Sequence, residues 1–347
     1  LAMTGGSVIT GAGILTLGGN VTASANDTVA AISGILDLGA ATRTFTVALG
    51  RTSDGEDMVI SAVITSATGT YGITKAGTGV LVLSGANTYS GITTVSVGTL
   101  KVSSLADGGS NSNIGASANT DDTLVLNGGT LYYTGAAVSI DRLFSIGTSG
   151  GTINSSGTGA LTFTNAGMIG FPGSGTRTLT ITGAGDVILP CVIADNGGAT
   201  ALTKTGTGTL TLSGANSYSG ATAVTAGSVS IQNSSALGTT TGTTSVSSGA
   251  SLQIDGSDLS IAESISSIIG TGVNNAGALR NPANNNTWSG TIVLGNPGAT
   301  ITVDAGNFTI AGIISSTRAL TKDGAGTLTL SVGNTYTGTT TVNAGIL

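Results

Sequence analysis

Apolar and polar residues alternate with period two in many short runs of this chain. In Thr209-Leu-Thr-Leu212 the leucines fall on one side and the threonines on the other. The same alternation marks Thr123–Asn127, Thr130–Tyr133, Ala160–Thr164, Thr178–Thr182, Ser251–Ile254 and Thr300–Val303. Glycine, Asn, Asp and Ser bound each run, and these are the residues that turn a chain. The pattern predicts short strands, each burying one face, joined by tight turns. Helix is disfavoured throughout, because β-branched Thr and Val are frequent and Gly is dense.

One motif occurs three times. Lys75 opens KAGTGVLVLSGANTYSGITTVSVGTL, Lys204 opens KTGTGTLTLSGANSYSGATAVTAGSV, and Lys322 opens KDGAGTLTLSVGNTYTGTTTVNAGIL. The Lys, the paired glycines, the Asn (Asn87, Asn216, Asn334) and the Tyr (Tyr89, Tyr218, Tyr336) keep their places. Blocks upstream recur as well: Asp57–Ile64 matches Asp186–Ile193 and Asn307–Ile314. The copied unit is therefore long, with super-repeats at approximately 1–103, 104–232 and 233–347. Two β architectures compete for such text, an antiparallel sandwich or barrel and a parallel solenoid. Stacked rows of Leu, Ile, Val and Ala, with Gly and Asn at every corner, favour one continuous solenoid whose coils touch only their neighbours. With ~20–25 residues per coil and ~4.8 Å per coil, a rod about 70–80 Å long is expected, and one super-repeat spans about five coils. The three tyrosines should then not stack on one another.

Composition narrows the function. Charged residues are 7%, aromatics 3%, and Gly is 58 of 347. Apolar residues at 39% exclude a charged disordered chain. Net charge is −6 without a basic stripe, so nucleic acid is not an expected partner. The longest apolar run, Val187–Ala194, is far short of the roughly 20 residues of a spanning helix, so no membrane insertion is expected of this segment. The chain starts and stops in strand-like text and reads as a piece of something longer.

Candidate chemistry is sparse. There is no histidine, which removes Ser-His-Asp triads and imidazole acid–base work. The densest acidic cluster, Arg51-Thr-Ser-Asp54-Gly-Glu56-Asp57, offers either a calcium loop or an acid pair for polysaccharide chemistry; a solvated turn is the simpler reading. The Gly-x-Gly pairs fit solenoid corners, because no helix follows to bind phosphate. Lys75, Lys204 and Lys322 read as charges at exposed strand ends that discourage sideways pairing. Cys191 aligns with Ala62 and Gly312 and reads as a small core residue. Trp288, the single Trp, is a candidate sugar-stacking contact or a loop cap. No cofactor, metal or catalytic residue is expected.

The string LTKTGTGTLTLSGANSYSGATAVTAG at Leu202–Gly227 and its two counterparts resemble the autotransporter-associated β-strand repeat, also called the passenger-associated transport repeat. The matches cover about a quarter of the chain, and Val332-Gly333 depart from the usual Gly-Ala in the third. The resemblance implies an all-β, single-stranded right-handed parallel β-helix exported to the bacterial cell surface. It implies a non-catalytic structural or adhesive rod: a segment of a fibre, stalk or adhesin, continued in a longer chain or stacked end to end into filaments. Two alternatives accompany it. One is a carbohydrate-binding adhesin that contacts surface glycans near Trp288 or the loops 107–119 and 274–286. The other, weaker because acids are not concentrated, is a polysaccharide lyase or hydrolase.

Overall fold

The computed structural model describes residues 1–347, which divide into two compact units, Leu1–Arg177 and Thr178–Leu347. In the first, seven strands pair side by side in one parallel sheet: Ala2–Met3, Val21–Ala23, Arg43–Val47, Ile73–Ala76, Thr93–Val95, Leu124–Leu126 and Ser145–Ile146. A second parallel ladder runs through Met58–Ile60, Val80–Leu83, Thr99–Val102, Thr130–Tyr133 and Gly151–Ser155. The chain alternates between the ladders and returns one strand further along each time, which is the path of a solenoid. Register partners lie 20 residues apart at Ala2↔Thr22 and 31 apart at Thr93↔Leu124, so coil length varies while the stack is kept.

The second unit repeats the plan. One ladder joins Thr200–Lys204, Thr222–Val224, Thr244–Val246, Ile265–Gly270, Ile292–Val303, Ala319–Asp323 and Thr340–Val342, all parallel. Another runs through Val187–Leu189, Thr209–Leu212, Ser228–Ile231, Ser251–Ile254 and Leu279–Asn281. A third holds Ser260–Ile261, Asn286–Trp288, Asn307–Ile310 and Thr327–Leu330. Parallel pairing decides against the antiparallel alternative. Along this unit Tyr218 and Tyr336 stand five coils apart, as the length of the super-repeat requires.

The core follows from the alternation. Strand Thr209–Leu212 buries Leu210 and Leu212 and turns its threonines outward. In-register stacking then lines up like residues: Leu81, Leu100, Leu131 and Ile153 form one fully buried row. Each such side chain contributes roughly 1.5–3 kcal/mol on leaving water. Cys191 belongs to this core, and burial pushes its thiol up to about 12.

The repeated lysines correct the sequence reading. Instead of sitting at exposed strand ends, Lys75, Lys204 and Lys322 are buried at 0%, 2% and 0% exposure. Period two puts Ile73 and Lys75 on the same inward face. The long side chain ends where the chain turns the corner, and carbonyls converge there. Lys75 Nζ donates to the carbonyls of Ala76, Gly77 and Val97 at 3.0, 2.7 and 3.1 Å. Lys204 holds Thr205, Gly206 and Ala226, and Lys322 holds Asp323, Gly324 and Ala344, in the same way. An ammonium has three donors, and all three are used. Burial draws Lys75 and Lys204 down to about 8, opposed by the charges of Asp57 and Asp186. The corner demands glycine: Gly77, Gly206 and Gly324 have φ of 76°, 69° and 77°, and a Cβ on Gly77 would lie 2.3 Å from the Val47 carbonyl of the coil below.

Lys204→Met keeps the aliphatic stem but removes the donor from three carbonyls. A loss of about 2–4 kcal/mol is expected in urea denaturation, because unmet buried carbonyls cost more than the hydrogen bonds themselves contribute.

Candidate functional site

The motif Asn also ties one coil to the next, and in the first two copies both it and the motif Tyr are buried. Asn87 Oδ1 accepts the Ile64 N–H at 2.8 Å, and its Nδ2 donates to the Asn113 carbonyl at 2.6 Å. Asn216 does the same between the Ile193 N–H and the Ala236 carbonyl, at 2.8 and 2.6 Å. An amide side chain carries both a donor and an acceptor, so one residue satisfies backbone groups on two coils. The rings of Tyr89 and Tyr218 are fully buried, and their hydroxyls pair with Thr93 and Thr222 at 2.7 Å. Burial drives both phenol groups well above their ordinary range, so they stay neutral. In the third copy Tyr336 keeps its Thr340 partner at 2.7 Å, and Asn334 still accepts the Ile314 N–H. There the amide Nδ2 reaches only Val332 of its own coil, at 3.2 Å.

This pinned geometry recurs at residues 73–102, 202–231 and 320–347, the three stretches matched by the family model described as Passenger-associated-transport-repeat. These stretches are passenger-associated transport repeats. The chain is also similar to a protein named "Adhesin BmaC autotransporter" from Brucella suis biovar 1 (strain 1330), with 37% identity over 76% of this chain. The chain spans only 6% of that relative's length. No solved structure matches it.

Strand register explains Trp288. Asn286-Thr-Trp288-Ser-Gly290 has the spacing of Asn87-Thr-Tyr89-Ser-Gly91 but a different place in the coil: Asn286 pairs in register with Phe308, and its Oδ1 accepts the Leu259 N–H at 2.8 Å. Trp288 pairs in register with Ile310, which pairs with Leu330, so it occupies an inward strand position equivalent to Leu83 and is 0% exposed. It presents no ring to solvent, which corrects its reading as a sugar-stacking contact. Its indole N–H is left unpartnered.

The acidic residues of Asp54–Asp57 go to separate tasks. Asp57 accepts the amides of Gly50 and Val80 at 2.6 and 2.7 Å, spanning two coils. Glu56 pairs with Lys101 at 2.7 Å, and Asp54 accepts the Ser53 hydroxyl at 3.1 Å. Asp186 holds the Thr209 amide at 2.7 Å, in line with its alignment to Asp57.

Sequence reasoning missed Glu263, whose backbone position carries no local motif. It is 4% exposed, on the inward side between Ile261 and Ile265, and neither carboxylate oxygen has a hydrogen-bond partner. Desolvation raises its pKa to about 7; the Thr244 hydroxyl is close enough to oppose this without completing a bond.

Two outcomes follow. Asn216→Ala, which unmakes two inter-coil bonds, should cost about 2–3 kcal/mol, and Asn334→Ala, which unmakes one, about 1 kcal/mol; paired urea melts would show the order. For Glu263, the native state holds a proton that the unfolded chain has released between about pH 4.5 and 7. Its contribution to stability is therefore greatest at acid pH and is lost as pH rises through that window. Denaturation midpoints at pH 4.5 and 7.5 should differ less in Glu263→Gln than in the parent chain.

Proposed function

We propose that this chain is a stretch of a secreted, cell-surface passenger that works as a non-catalytic adhesive stalk. The observation that carries this reading is the burial of the repeat Lys, Asn and Tyr in the first two copies, and of the Lys in the third. Lys and Asn are consumed in holding coil to coil, and Tyr in pairing with a Thr of its own coil. The repeats therefore supply a scaffold, while contact with a surface falls to loops outside the matched stretches, such as 107–119 and 274–286. Similarity to a relative named as an autotransporter adhesin supports the same reading. So does the composition, because 7% charged residues give an outer surface rich in hydroxyl and amide groups. Further coils of a longer chain, or other copies, would extend the stalk through the same ladder pairing.

Display of the chain on a non-adherent bacterium tests the proposal. Attachment to epithelial cells or matrix-coated plastic should rise several-fold over an empty display vector. A folded, displayed chain that adds no attachment to either surface would refute adhesion.

A further inference from the structure

The two complete repeats share an inward slot that they fill with opposite charges. The register Thr93↔Leu124 and Val125↔Ser145 puts Phe144 in the row of Thr93, and Thr222↔Thr244↔Ile265 puts Ile265 in the row of Thr222. Two residues before these stand Arg142 and Glu263. Each is the charged group that acts on its own repeat's tyrosine, Arg142 on Tyr89 and Glu263 on Tyr218. Arg142 is fully buried and surrounded by oxygen. Its Nε donates to the Ala106 carbonyl at 2.8 Å and its Nη1 to Ser117 Oγ at 2.7 Å. Its Nη2 donates to the carbonyls of Gly115, Asp107 and Ser110 at 3.0, 3.4 and 3.4 Å.

The loop that meets this cation exists in both repeats. The Ala116 amide donates to the Tyr89 carbonyl and the Thr239 amide to the Tyr218 carbonyl, each at 2.8 Å. Gly238 and Thr240 therefore take the places of Gly115 and Ser117. Together with Thr239 and Glu263 they line a pocket of about 280 Å³. Thr239 Oγ1 and both Glu263 oxygens are buried there without partners. The slot thus keeps its oxygen lining, loses its built-in cation and gains a carboxylate.

We propose that this pocket binds a hard divalent cation, Ca²⁺ by its preference for oxygen donors, in the slot that Arg142 fills from within in the first repeat. Glu263 supplies the charge, and Thr239, Thr240 and the Gly238 carbonyl supply neutral oxygens, with waters completing the shell. A single carboxylate places the affinity at about 0.1–1 mM, the range of extracellular calcium modules. The inference is independent of the adhesive role.

Thermal unfolding at constant ionic strength, in chelator or in millimolar CaCl₂, MgCl₂, NaCl or methylammonium chloride, provides the test. Calcium should raise the midpoint of the parent chain by about 2–5 °C. The near-isosteric Glu263→Gln should lose that response while keeping the parent's circular dichroism. Glu263→Arg should raise the midpoint in chelator and abolish the calcium response, since it restores the cation of the first repeat. Terbium luminescence titration of the same three chains reads binding directly, with displacement by calcium expected only in the parent. No calcium response in the parent, an equal response in Glu263→Gln, or stabilisation by methylammonium alone would overturn the proposal.

Discussion

Hydrogen bonding from each coil to the next is the constraint on which this molecule depends. A parallel ladder fixes the register of every strand against its neighbour, so whatever one coil places inward meets the inward residue of the next. Apolar rows such as Leu81, Leu100, Leu131 and Ile153 satisfy that demand easily. Corners are harder, because there the backbone leaves the ladder and its carbonyls turn toward the interior. A buried ammonium with three donors answers that problem at Lys75, Lys204 and Lys322. A buried amide answers it at Asn87 and Asn216, where strand gives way to turn. Conserving these side chains from copy to copy keeps the corner geometry, and the corner geometry keeps the register.

Much of this architecture is legible in the amino-acid sequence. Period-two alternation marks the strands, and the threefold motif marks the repeat. Cys191 and Asp57 are understood once their counterparts in other copies are aligned. The lysines are misread because charge alone points to the surface; only the corner's converging carbonyls, invisible before the fold is known, make the interior favourable. Trp288 could not be placed, because its Asn-x-aromatic-Ser-Gly surroundings copy those of the repeat tyrosine while register puts it in the row of Ile310 and Leu330. Nor could Glu263, because its significance lies in its row rather than in its neighbours along the chain.

Variation between copies is largest at positions that the ladder does not fix. Coils differ by as much as twelve residues in length, from 19 to 31, yet the strands on either side stay paired. The extra residues leave the stack as loops, and the slot beneath such a loop is free to hold Arg142 in one copy and Glu263 in another. A scaffold of this kind can change its surface without renegotiating its interior, because the two are separated by the pleat.

Burial of the repeat lysines also changes how the molecule meets reagents and enzymes. Of the four lysines in 347 residues, only Lys101 offers a solvent-facing ε-amine, and that one is engaged with Glu56. A lysine-directed protease has almost nothing to grip on the folded chain, although the polypeptide is a third of a thousand residues long and turns a corner every few of them. Among the lysine side chains, amine-coupling chemistry would find a single point of attachment. Resistance to cleavage here comes from where the cations are kept, not from the absence of cleavable bonds.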